Sequence, residues 1–318
     1  MKILVVGGAG YIGSHVVEDL NTSDNSIVVF DNLNTGSKDN LPAGIELVLG
    51  DITSVEDLNN VFSKGFDIVF HFAALKNAGD SMINPDIYYK NNVIGTLNIL
   101  NAMVKYGVKH IVFSSSAAVY GNPRYLPMDE NHPLNPENFY GFTKLECERL
   151  LEWYSRLNGI NFASLRYFNA AGYIPNKQME KNPGNLLPII MEVASARRES
   201  LNIYGDTYET EDGTGIRDYI HVKDLSDAHI KAMNYIISRR KNIIVNLSTE
   251  KGHSVLEIVK RCETLLDKKI SYKIIDRRAG DPAVVVASSK LAKELLDWET
   301  KHSDIDNIIV SMWEVYRK

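Results

Sequence analysis

A short apolar strand, Lys2-Ile3-Leu4-Val5-Val6, runs into Gly7-Gly8-Ala9-Gly10-Tyr11-Ile12-Gly13, and the helical spacing of Tyr11, Ile12, His15, Val16 and Leu20 begins at once. The glycines satisfy Gly8-x-Gly10-x-x-Gly13 and, in a second register, Gly7-x-x-Gly10-x-x-Gly13. A glycine hexad alone matches many loops. Set between a strand and a helix it is the first turn of a βαβ unit, where bare backbone and a helix N-terminus meet a pyrophosphate. A chain that opens this way holds a dinucleotide and needs a parallel sheet to present it.

The remainder supplies that sheet. Short apolar runs at 3–6, 27–30, 46–49, 68–72, 110–114 and 162–166 alternate with helical patterns at 11–20, 55–62, 85–106 and 139–157. Such alternation specifies the α/β class, with a doubly wound parallel-sheet Rossmann domain. After about residue 172 the texture changes. A loop rich in Asn, Pro and Lys (173–184) leads to a helix near 186–198 and then to a polar, acidic segment at 205–215. The run 243–247 reads as another sheet strand and 255–266 as a helix. The expected division is residues 1–172 as the NAD-binding Rossmann domain, with a further strand near 243–247. Residues 173–318 form mainly a smaller, interleaved α/β substrate domain.

Composition removes several classes of function. Hydrophobic residues make up 44% and charged residues 24% of 318, the balance of an ordinary soluble protein. The net charge of −5 is spread along the chain, so neither a nucleic-acid nor a membrane partner is expected. Two cysteines, Cys147 and Cys262, are too few for a disulfide scaffold or a metal cluster, and a cytoplasmic location is expected. The first core strand begins at residue 2, which leaves no room for a signal peptide before it.

The chemistry-bearing residues fall at strand ends. Asp31 closes the second strand, where a carboxylate accepts from the adenosine ribose and repels a 2′-phosphate, favouring NAD over NADP. The alternative is a turn cap ahead of Asn32 and Asn34. Thr35 and Gly36 extend the same cofactor-facing loop. Asp51, followed by Ile52, either meets the adenine amino group or caps the next helix. Phe72, Ala73, Ala74 and Lys76 end the fourth strand, with Asn91 on the helix behind, and Ser114-Ser115-Ser116 ends the fifth. In Tyr140-Gly-Phe-Thr-Lys144 a phenol and an ammonium share one helix face. A phenol ionises near pH ~10, and a close cation favours the phenolate. A base beside a nicotinamide suits hydride transfer from a carbon that bears a hydroxyl, with Ser116 bridging substrate and phenol.

Together these residues resemble the extended short-chain dehydrogenase/reductase superfamily, and more closely its UDP-glucose (UDP-galactose) 4-epimerase family, over nearly the whole chain. Further markers are Asn91-Asn92-Val93, Arg166-Tyr167-Phe168-Asn169, Thr210-Glu211-Asp212-Gly213-Thr214-Gly215 and Arg217-Asp218-Tyr219-Ile220-His221-Val222. The resemblance implies an NAD-dependent epimerase that inverts C4 of a UDP-hexose through a transient 4-keto sugar. Tyr140 would be the base, aided by Ser116, with Lys144 lowering the phenol's pKa and contacting the nicotinamide ribose. It places Phe168 at the cofactor, and Lys76, Asn169, Asn185, Leu186, Tyr204, Arg217, Arg278 and Asp281 around the UDP and sugar. It also implies a homodimer formed by the helices at 85–106 and 139–157.

Alignment through Arg278-Ala279-Gly280-Asp281 puts Val285 where some relatives carry a large aromatic residue. Either Val284-Val285-Val286 is simply a buried strand, or the small residue leaves room for UDP-GlcNAc and UDP-GalNAc as well. Ala117 and Ala118 stand where the related 4,6-dehydratases hold an acidic pair, so elimination lacks its acid and base. The loop at 173–184 is shorter than the family's. Two other readings remain: a 4-epimerase dedicated to a UDP-N-acetylhexosamine or a UDP-uronate, and an NAD-sensing binding protein without turnover. The second would be expected to lose Tyr140 or Lys144.

Overall fold

The computed structural model describes residues 1–22, 24–180, 183–278 and 281–318. Ala279 and Gly280, between Arg278 and Asp281, lie outside the described residues. Seven parallel strands form the central sheet: β1 (Lys2–Val6), β2 (Ser26–Asp31), β3 (Glu46–Leu49), β4 (Ile68–His71), β5 (His110–Ser114), β6 (Asn161–Tyr167) and β7 (Ile243–Leu247), in the order β7-β6-β5-β4-β1-β2-β3. Continuous runs of Val, Ile and Phe, rather than alternating ones, suit strands covered on both faces. One face packs on the helices Tyr11–Leu20 and Val222–Arg239, and the other on Val55–Phe62, Gly95–Tyr106 and Phe139–Asn158. The strand order reverses between β1 and β4, so a crevice opens at their carboxyl ends.

A second core gathers Tyr173, Leu187, Ile190, Ile203, Ile258, Ile308 and Met312. Around it, Leu201–Tyr204 pairs in parallel with Tyr272–Ile275, and Ile216–Arg217 lies between His253–Ser254 and Val284–Val285. Each sheet strand lies within about a residue of its expected position. The stretch 85–106 is helical throughout but carries a π turn, Tyr89–Ile94, between Pro85–Tyr88 and Gly95–Tyr106. The helix expected over 186–198 stops at Ala194. The helix Val222–Arg239, the helix Ile305–Tyr316 and the two-residue strands Ile216–Arg217 and His253–Ser254 were not expected, whereas Val284–Val285 is a strand as one reading had it. Segments of two residues carry no periodicity to read.

Candidate active site

The crevice exists because Gly7 is glycine. Its φ of +78° lies in the left-handed region, and a Cβ there would stand 2.5 Å from the Ala73 nitrogen. The turn after β1 therefore lies flat against the end of β4, with its backbone bare. Above it lies a cleft of about 1450 Å³. That exceeds the roughly 300–1,000 Å³ that hold one drug-sized ligand, and leaves room for a dinucleotide with a second nucleotide beside it.

Most of the expected cofactor residues line this cleft: Gly7, Gly10, Tyr11, Ile12 and Gly13 from the turn, then Asp31, Asn32, Asn34, Thr35, Ile52, Phe72, Ala73, Ala74, Lys76, Asn91 and Ser114. Gly36 packs on the Ala9 backbone beside it. Asp31 caps a turn while it faces the cleft. Its Oδ2 accepts from Ala9 N at 2.9 Å and its Oδ1 from Leu33 N at 2.8 Å. Burial raises its carboxyl above the ordinary value, and those two N–H groups pull it back. Asp51 does not cap the following helix. Ser54 does, while Asp51 accepts from Thr53 N and Oγ1, both at 2.7 Å, and from Asn32 Nδ2 at 2.9 Å.

The helix Phe139–Asn158 begins where Asn138 Oδ1 accepts from Gly141 N, 2.8 Å away. A Cβ on Gly141 would stand 2.4 Å from the Ala118 carbonyl oxygen, so this glycine lets the first helical turn close on Ser116-Ala117-Ala118. The Tyr140 phenol is thereby brought beside Ser116, whose hydroxyl pulls the phenol's pKa down. One turn on, Lys144 Nζ donates to the Ser114 carbonyl at 2.7 Å and lies 5.9 Å from the Tyr140 ring centre. Burial pushes the phenol up to about 12, against the pull of the Ser116 hydroxyl, and brings Lys144 down to about 8. Burial dominates the phenol's pKa, and the Lys144 ammonium is aimed at the Ser114 carbonyl.

Asn92, buried in the π turn, was quoted from sequence only as a marker beside Asn91. Its Nδ2 donates to Leu75 O and Thr143 Oγ1, each at 3.0 Å, and its Oδ1 accepts from Leu75 N at 2.9 Å. It ties the end of β4 to the Tyr140 helix. Glu180 and Lys177 were missed as well. Glu180 pairs with Lys76 at the cleft, and the Lys177 ammonium is buried, donating to Asn40 O at 2.7 Å and Glu18 Oε2 at 2.9 Å. Two charges in an Asn- and Pro-rich loop carry no sequence signal that separates them from solvated ones.

At the far end of the cleft stand Asn185, Tyr204, Arg278 and Asp281. Asn185 precedes the helix Leu186–Ala194 and makes no side-chain cap. Arg217 is paired with Asp281 at 2.6 Å, and the Arg278 guanidinium lies 3.6 Å from the Tyr204 ring centre. The structure thus brings both arginines together with their expected neighbours but engages them with one another. Asn169 Nδ2 donates to Asp218 O at 2.9 Å. Val285 and Phe168 pack on the cluster of Ala117, Val119, Tyr120 and Met128, next to the Ser116 turn.

With this geometry in hand, the chain matches the NAD dependent epimerase/dehydratase family over residues 3–248. It is 41% identical to the UDP-glucose 4-epimerase of Lacticaseibacillus casei, an alignment covering 98% of this chain and 96% of that one. Its structure is similar to that of the UDP-glucose 4-epimerase from Brucella ovis in complex with NAD, with a TM-score of 0.96, 40% identity and coverage of 99% and 98%. It is also similar to the UDP-Glc/GlcNAc 4-epimerase of Campylobacter jejuni, with a TM-score of 0.87, 35% identity and coverage of 99% and 98%.

Proposed function

The chain belongs to the NAD dependent epimerase/dehydratase family and is an NAD-dependent isomerase of the UDP-glucose 4-epimerase type, and on that premise we propose that it inverts C4 of a UDP-hexose with Tyr140, Ser116 and Lys144 as its catalytic groups. The observation that carries this reading is the placing of Tyr140 beside Ser116 with Lys144 one turn on, bonded to Ser114, which lines a cleft sized for two nucleotides. The bare Gly7–Gly13 turn, Asp31 and the small residues Ala73 and Ala74 suit NAD, whose chemistry when bound is to accept the C4 hydride and return it to the other face of the 4-keto sugar.

Tyr140 takes the C4 hydroxyl proton and later gives one back. Ser116, which stands beside the phenol, relays it. Lys144 keeps a positive charge below about pH 8 and supplies it one turn from the phenol. Arg217 and Arg278 suit a diphosphate, which accepts bidentate charge-assisted bonds. Tyr204 offers a flat face to the uracil, and Asn169, Asn185, Leu186, Asp281 and Lys76 complete the sugar-nucleotide side. The test is direct. Purified protein incubated with a panel of UDP-sugars should interconvert UDP-glucose and UDP-galactose on chromatography, and no interconversion overturns the reading.

Acceptance of N-acetylated sugars is part of the proposal, and Val285 supports it. The residue is half-buried beside the Ser116 turn, where a tyrosine ring would occupy space that the valine leaves. Overpacking costs roughly 1–3 kcal/mol. Wild-type protein is expected to turn over both UDP-galactose and UDP-GalNAc, and Val285→Tyr to suppress the second selectively. Equal loss on both sugars, or no acetylated turnover in the wild type, excludes Val285 as the gate.

We propose the division into residues 1–172 and 173–318, with β7 returning to the sheet and Ala292, Leu296 and Trp298 joining its core. The helices Gly95–Tyr106 and Phe139–Asn158 leave Val104, Trp153 and Leu157 exposed, the last at 72%. Ile87 and Ile94 from the preceding turns are exposed as well, and we propose that these apolar residues meet a second copy. Equilibrium sedimentation should give about twice the 35.7 kDa chain mass, and a monomer overturns that assignment. Cys147 and Cys262 are both free and buried, in keeping with a reducing cytoplasm.

A further inference from the structure

We infer that Glu148 is a positioning residue for this reaction: through Ser115 it locks the helix that bears Tyr140 and Lys144 to the strand end that bears Ser114 and Ser116. The inference rests on the reading of Tyr140 and Lys144 as the catalytic pair. Glu148 lies one turn beyond Lys144 on the same helix face. It is 2% exposed, and its partner Arg166, on β6, is 3% exposed. The pair is bidentate, with Nε–Oε1 at 3.0 Å and Nη2–Oε2 at 2.6 Å. The same Oε1 accepts from Ser115 Oγ at 2.6 Å and from Ser164 Oγ at 2.9 Å. Arg166 Nη1 in turn donates to Tyr120 OH at 3.0 Å, and that hydroxyl donates to Asn246 Oδ1 at 2.6 Å.

A buried ion pair of this kind gains little stability over an apolar packing of the same volume. What it does here is geometric. Ser115 sits between two functional neighbours: the Ser114 carbonyl receives the Lys144 ammonium, and the Ser116 hydroxyl meets the Tyr140 phenol. One carboxylate oxygen therefore sets the register of Ser114, Ser115 and Ser116 against the catalytic helix. Misplacing a reacting group by about 1 Å can cost on the order of 10²-fold in rate.

Two serines on the same oxygen separate positioning from stability. Ser115→Ala and Ser164→Ala each remove one neutral donor to Oε1 and leave the ion pair intact, but Ser164 lies on β6, which bears none of the catalytic groups. With NAD-loaded enzyme and UDP-galactose, Ser115→Ala is expected to lower kcat about tenfold or more with KM held within about twofold, and Ser164→Ala to keep kcat within about twofold. Both should lower the melting temperature alike. Unchanged kcat in Ser115→Ala, equal kcat losses in the two variants, or a loss confined to KM overturns the inference. Tyr140→Phe is assayed alongside. If it is inactive while Ser115→Ala turns over normally, only the positioning role fails. If it stays active, the reading beneath the inference fails with it.

Discussion

Tyr140→Phe is expected to lower epimerisation by about two to four orders of magnitude while the protein retains its NAD. The substitution removes one oxygen and keeps the ring, so it opens no cavity. The features that place the residue are independent of its hydroxyl. Asn138 still caps the helix, Ser81 Oγ still accepts from the residue 140 N–H at 3.0 Å, and Lys144 still reaches Ser114. Ser116 loses a partner, yet its Oγ still accepts from Ala118 N at 3.1 Å. Stability should therefore change by no more than about 1 kcal/mol, the net worth of one hydrogen bond. The glycine turn and Asp31 lie elsewhere on the cleft wall. Turnover of UDP-galactose and the NAD released by acid are the two measurements, and near-wild-type turnover would remove Tyr140 from the mechanism.

Asp31→Ala should strip the protein of cofactor. A buried N–H, that of Ala9, and a partly buried one, that of Leu33, end on this carboxylate, and leaving the buried one unsatisfied costs about 1–3 kcal/mol. The Ala9 bond holds the glycine turn against β2, so the alanine variant loosens the pyrophosphate cradle as well as losing the ribose acceptor. NAD affinity is expected to fall at least about tenfold, since each ~1.4 kcal/mol is a decade. The same carboxylate faces any 2′-phosphate, and like charges placed together cost several kcal/mol. Wild-type apoprotein should thus recover activity with NAD at about a hundredth of the NADP concentration it needs, or less. Equal recovery with the two cofactors, or unaltered NAD content in Asp31→Ala, would show that the ribose role belongs to another residue.

What the sequence revealed and what it hid divide along a physical line. Uninterrupted apolar strands, a glycine turn and a Tyr–Lys pair at helical spacing are local patterns, and the sheet and its floor follow from them. Partnerships across the chain are not local. Nothing near Glu148 says that Arg166 answers it, and nothing near Asp281 says that it holds Arg217. The stretch 85–106 shows a helix but not the π turn that sends Asn91 to the cleft and Asn92 inward. Sequence could place a phenol and an ammonium together. It could not show that burial dominates the phenol's pKa and raises it.

The return of β7 to the sheet has a consequence for how the protein is made. β6 is buried along nearly its whole length, and its outer neighbour is residues 243–247. A ribosome adding ~5–20 residues per second leaves that strand as an open edge for several seconds after it has emerged. Unpaired apolar edges recruit other chains. A fragment ending at residue 172 would keep that edge open permanently, so the cofactor half of this enzyme is closed only when about half of residues 173–318 has also been made.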